Sequence, residues 1–126
     1  MTTEKLAKIT KAGLVMERGI MSFAIWVDYE DGSSQCVGGY ALDAYSKIKQ
    51  TRVGTEYGCE IIRRLLTELG VNDFHEMVDK KVWVIIDSDR DVIGIRSLFV
   101  DSGNRSKGVM FKQIGDEYFG CDYDNG

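Results

Sequence analysis

"TRVGTEYGCEIIRRLLTELG", residues 51–70, carries the strongest helical signal in the chain. Gly58, Ile61, Ile62, Leu65, Leu66 and Leu69 recur at helical spacing and would bury one face. Glu56, Glu60, Arg63, Arg64, Thr67 and Glu68 take the opposite face. Thr55 is a good N-cap, because its hydroxyl can accept from an otherwise unpaired N–H of the first turn. Gly70 suits the left-handed residue that ends a helix, with Val71 packing back on the last turn. Glu60 and Arg64 form an i,i+4 pair in the favoured order. Stripe and both ends agree on an amphipathic helix over about 55–69.

Outward from this helix the chain reads as strands. Upstream, "KITKAGLVMER" has strand character and ends at Gly19. "IMSFAIWVDY" alternates at period two, with Met21, Phe23, Ile25, Val27 and Tyr29 on one face. Asp31-Gly32 favours a tight hairpin turn, and "SQCVGGYAL" is the returning strand. Gly38-Gly39 would bulge that strand or admit another backbone closely. "DAYSKIKQTRV" reads as a polar connection with at most one helical turn. Downstream, "NDFHEMVDK" reads as a short helix or turn begun by Asn72, and "KVWVIID", "VIGIRSLFV" and "GVMFKQI" as three more strands. Strands and helix do not alternate, which argues against a doubly wound parallel sheet. The expectation is one α+β domain over 1–126, a mainly antiparallel sheet packed against one long amphipathic helix.

Composition narrows the function classes. The 126 residues suffice for a real hydrophobic core, and the net charge of −4 gives no basic surplus for general nucleic-acid binding. Cys36, Cys59 and Cys121 are odd in number, widely spaced and without metal spacing, and His75 is the only histidine, so free thiols and no metal site are expected. "MTTEKLAKITKAG" has no apolar signal core, and no segment reaches the roughly 20 apolar residues of a membrane span. A cytoplasmic protein without membrane contact is expected. Proline is absent, so no cis-proline turn arises.

The helix mouth is the main candidate site. A helix start exposes N–H groups and partial positive charge, which suit a phosphate or carboxylate. Gly54 would let a ligand approach the backbone, Thr55 would contact it, and Arg52 would clamp an anion with paired hydrogen bonds. The plainer alternative is that Gly54-Thr55 only starts the helix. Tyr40 and Tyr45 would stack on a base or ring and Asp43 would accept from a ribose or amide, with Tyr57 also around the ligand and Arg63 or Arg64 contributing from a neighbouring subunit of a homo-oligomer. A second candidate surface is acidic: Asp87, Asp89 and Asp91, with Asp116, Glu117, Asp122 and Asp124 of the aromatic tail, would face a basic protein partner. "DSDRD" has the first spacings of a calcium loop but lacks its later glycine and glutamate, so a hairpin turn is expected there. No hydrolytic signature is present, so no catalytic residue, cofactor or enzymatic activity is expected.

"GGYALD", "RVGTEYG" opening the helix, and "LGVNDFHEM" resemble segments of a group of short phage-encoded proteins usually labelled hypothetical. The resemblance runs from about residue 19 to 81 and is densest at 38–43 and 52–58; no activity is assigned to that group, so no catalytic residue carries over. It implies a viral accessory protein, acting in the cytoplasm of the infected bacterial host against its defences. Two functions follow as expectations. One is a non-catalytic sponge for an anionic, nucleotide-like signal. The other is a protein-blocking inhibitor of a host defence complex, of the anti-CRISPR kind, acting through the acidic surfaces.

Overall fold

The computed structural model describes residues 2–98, 100–101, 104–105 and 108–119. Strands β1 (Thr3–Glu17), β2 (Ile20–Tyr29) and β3 (Ser34–Gly38) form an antiparallel meander. A hairpin follows, β4 (Asp43–Ser46) and β5 (Thr51–Gly54), and leads into helix α1 (Glu56–Leu69). A single 3-10 turn (Phe74–Met77) precedes β6 (Lys81–Ile86) and β7 (Val92–Ser97). The short pair β8 (Val100–Asp101) and β9 (Asn104–Arg105) comes next, then β10 (Val109–Met110) and helix α2 (Phe111–Phe119). The main sheet is six-stranded, ordered β10-β7-β6-β1-β2-β3, with every neighbouring pair antiparallel. The α+β class with a mainly antiparallel sheet is therefore present.

The period-two pattern of β2 sorts its faces as the alternation requires. Phe23, Ile25 and Val27 are fully buried, while Trp26 remains 44% exposed. Tyr57, Ile61, Leu65 and Leu69 of α1 join Phe23, Ile25 and Val27 in one buried core cluster. The C-terminal glycine of α1 has φ 66°, and the Gly70 and Val71 N–H groups both donate to the Leu66 carbonyl. This closure satisfies carbonyls that a helix end would otherwise leave unpaired. Gly58 lies where α1 crosses the chain ahead of β4: a side chain there would strike the Leu42 carbonyl. Gly38, at φ 141°, is pressed in the same way against the Phe23 carbonyl, so the glycine pair does admit a close backbone approach.

Five local expectations need correction. The returning strand expected through Leu42 ends at Gly38, where the positive φ of Gly38 and Gly39 turns the chain. The segment 43–54 is the β4–β5 hairpin, with Tyr45 opposite Arg52, and not an irregular connection. Its inward hold is ionic rather than apolar, so no hydrophobic period marks it. The short turn after α1 is capped by Asp73, whose carboxylate accepts from the Glu76 N–H at 2.9 Å, and not by Asn72. The strand expected through residue 100 ends at Ser97. "GVMFKQI" is strand only at Val109–Met110 and then becomes α2, because Phe111 and Ile114, three apart, both bury while Lys112 and Gln113 face out. The sheet thus packs against two helices, of 14 and 9 residues, rather than one long helix.

The strands curl. Tyr40, just beyond β3 at one edge, meets Phe111, just beyond β10 at the other, with ring centroids 5.1 Å apart. Phe23 from the middle of β2 touches both rings. Strand twist accumulated across six strands brings the two edges together in this way.

Candidate functional site

At the helix mouth most polar groups are already partnered, but Arg52 Nε is buried without a hydrogen-bond partner among the described residues. Thr55 is extended (φ −114°, ψ 159°), and its hydroxyl accepts from the Gly58 N–H at 2.9 Å and donates to the Leu42 carbonyl at 3.0 Å. Its own N–H donates to the same carbonyl. Arg52 donates from Nη2 to the Asp43 carboxylate at 2.7 Å and to the Asp43 main-chain carbonyl at 3.0 Å. The other carboxylate oxygen of Asp43 accepts from the Met21 N–H at 3.1 Å. The Arg52 hydrogen bond holds the Asp43 carboxyl below its ordinary range, and burial only partly opposes it. Arg52 and Asp43, expected on different parts of a ligand, are each other's partners and tie the β4–β5 hairpin to β2. Gly54 is exposed, with open space beside its Cα.

Arg63 and Arg64 belong to a separate ionic cluster. Both bind Glu60, Arg63 through two contacts of 3.0 and 2.8 Å and Arg64 at 2.6 Å. Arg64 also donates to Glu117 at 2.8 Å, joining α1 to α2. Hydrogen bonds from Arg63, then Arg64, pull the Glu60 carboxyl down to about 2. Glu117 first, then Glu60, raise the Arg64 guanidinium further above its ordinary value.

The concavity lies elsewhere, where the curled sheet brings its edges together. Two adjoining cavities of about 430 and 310 Å³ share Tyr40 and Lys112. The larger is of mixed character, with Val92 and Ile93 beside its polar groups. Gln35, Cys36 and the Gly38-Gly39 main chain form one wall, and Asp87 and Asp91 of the β6–β7 turn form the other. The smaller is mainly aromatic, with Tyr57, Phe111, Ala41 and Gly115, and Asp116 at its rim. Of the residues singled out in sequence, Tyr40 and Tyr57 meet here. Arg52, Asp43, Gly54 and Thr55 do not line either cavity. Tyr57 is 4% exposed and its hydroxyl faces the Phe111 carbonyl at 3.5 Å; burial, then Tyr40, pushes that hydroxyl up to about 12.

The acidic candidates divide. Asp87 turns one carboxylate oxygen onto the Asp89 and Asp91 N–H groups, at 2.9 Å each, which fixes the turn that was expected. Asp89 is exposed on it, outside both cavities. Asp87 and Asp91 line the larger cavity and, after burial, raise the Tyr40 hydroxyl. Asp116 borders the aromatic cavity and Glu117 is held by Arg64. Asp122 and Asp124 lie outside the described residues.

Sequence reasoning missed Lys112, Phe111 and Gln35. The first two sat in a segment read as strand, and only the helical spacing of Phe111 and Ile114 pointed to α2. Chemically the groove combines a slot for a ring, carboxylates that accept from hydroxyl or amino groups, and one ammonium for an anion. Burial pushes the Cys36 thiol up, so it is protonated at neutral pH and a poor nucleophile. His75 is exposed on its 3-10 turn and lines neither cavity. Among the described residues no helix is long and apolar enough to cross a membrane. Comparisons with protein-family models, with curated proteins and with solved structures find no significant match to this chain.

Proposed function

We propose that the protein is a non-catalytic binding protein whose ligand is a small, nucleotide-like anion held in the groove at Tyr40. One observation carries this reading: an aromatic cavity and a larger, mixed one adjoin through Tyr40 and Lys112. Their volumes fall in or near the range of small-molecule sites, roughly 300–1,000 Å³. A base would stack in the aromatic half, the sugar hydroxyls would donate to Asp87 and Asp91, and Lys112 would take the phosphate. Three carboxylates beside one ammonium limit the charge the ligand can carry, which favours a monophosphate over a polyphosphate. In the phage setting that the resemblance implies, the ligand is a signal of host defence and the protein sequesters it in the host cytoplasm.

Native mass spectrometry of the protein from defence-active cells, followed by denaturation, tests the proposal. A released nucleotide, retained by wild type and lost from Lys112→Ala and Tyr40→Ala, is the expected result. Protein that releases no small molecule, and whose melting temperature is unmoved by nucleoside monophosphates and cyclic dinucleotides, overturns it.

A second reading rests on the same rim. Asp87, Asp91 and Asp116 all border the groove, so a basic side chain of a host defence protein would seat there. Inhibition abolished by changing these three to Asn, with no nucleotide bound, selects that reading.

A further inference from the structure

The β1–β2 hairpin extends beyond the sheet. β1 pairs with β6 only from Thr3 to Lys8, and Ile9 then bonds Asp79 and Lys80 through its main chain. A bulge at Thr10 marks the departure, and from Lys11 to Glu17 the strand pairs with β2 alone. Among the described residues its outer edge from Lys11 onward meets no other strand. This arm is apolar where an edge is normally charged: Leu14 is 52% and Met16 68% exposed. Leu14 lies opposite Phe23 and Met16 opposite Met21, so both extend the core face of the sheet past the core. Exposed apolar edges of this kind template pairing with another strand.

The order of residues on this edge identifies the strand that fits. We propose that the arm pairs antiparallel with the same arm of a second copy of this chain, about a two-fold axis through Leu14. In that register Lys11 of each copy faces Glu17 of the other, giving two cross-strand ion pairs at the ends. Between them Ala12 faces Met16 and Gly13 faces Val15, small against large, and the two Leu14 side chains meet at the axis. Residues directly opposite must share a face, so only registers that pair odd with odd and even with even are allowed. Shifting the axis by one residue either way sets Lys11 against Val15, or Glu17 against Gly13, and both ion pairs are lost. Lys11 and Glu17 have no other ionic partner among the described residues. The self-complementary patch is what a two-fold interface requires. It would join two six-stranded sheets into one continuous sheet, and it is independent of the groove.

Sedimentation velocity of wild type, Lys11→Glu, Glu17→Lys and the double exchange tests this. Wild type is expected as a dimer. Each single reversal sets like charges opposite at both ends and weakens the dimer roughly ten-fold. The double exchange restores it. An equimolar mixture of the two single variants restores it too, as a heterodimer, because each carries the charge that the other lacks. Slowed amide exchange at residues 12–16 in wild type is the matching readout in the unaltered chain. Wild type that is monomeric at its highest soluble concentration overturns the proposal, and so do single reversals that leave the dimer unchanged.

Discussion

Gly58 shows how one residue is fixed from two directions. Its N–H closes the Thr55 cap and its Cα lies against the Leu42 carbonyl. Gly58→Ala keeps the first and violates the second against rigid backbone, so it should cost about 3 kcal/mol in urea unfolding, even though alanine is the better helix former. A loss below that of an exposed Gly→Ala change would show that α1 can slide away from Leu42. The Arg52–Asp43 pair makes a second claim at this scale. Asp43 is 8% exposed as a side chain and keeps its charge only through Arg52 and the Met21 N–H. Arg52→Ala strands that carboxylate and should lower stability, with Asp43→Asn acting in the same direction and the double change far less than their sum. The carboxyl lies below its ordinary value when folded, so this contribution is present above the unfolded value and lost as pH falls through the folded one. Additive losses in a double-mutant cycle would refute the coupling. Neither partner reveals the pairing in sequence, because Arg52, opposite Tyr45, reaches diagonally to Asp43 only once β4 and β5 are in register.

At the scale of elements, α1 was readable end to end because everything that makes it is local. Its stripe, its threonine cap and its Gly70 stop lie within 16 consecutive positions, 55 to 70. The link to α2 is different: Arg64 bridges Glu60 on its own helix and Glu117 on the other. Glu60 titrates at about 2 in the folded chain against an ordinary value of 4.5. Its contribution is therefore full above pH 4.5 and disappears as pH falls toward about 2. Glu60→Gln should lower stability by roughly 1 kcal/mol near neutrality, the scale of solvent-screened pairs. The difference from wild type should shrink to nothing at the acid end. A constant difference across thermal melts from pH 6 to pH 2 would mean that packing, not charge, joins the helices. The β4–β5 hairpin stayed hidden because it has no buried apolar face: Ile48 in its turn is 83% exposed.

The whole molecule is held in its curled shape at the contact of Tyr40, Phe23 and Phe111. Phe111 is fully buried, so Phe111→Ala should cost about 3–5 kcal/mol. It should also widen the groove, because the same ring forms the floor of the aromatic cavity. Unfolding measurements in urea give the first, and loss of the nucleotide that wild type retains under the proposed function gives the second. Retained ligand in a destabilised Phe111→Ala would place the binding determinants wholly in the larger cavity. What the sequence determined by itself was what short-range physics sets: the alternation of β2, the Asp31-Gly32 turn, α1 with its caps, and hence the α+β class. Only the tertiary structure decided that Arg52 at the helix mouth is held by Asp43 and ties the β4–β5 hairpin to the fold. It alone placed Tyr57 in the core, turned the end of "GVMFKQI" into a helix and set Lys112 beside Asp87 and Asp91. Those outcomes depend on how far six strands twist before their edges meet, and that sum over the whole sheet is written in no single segment of the chain.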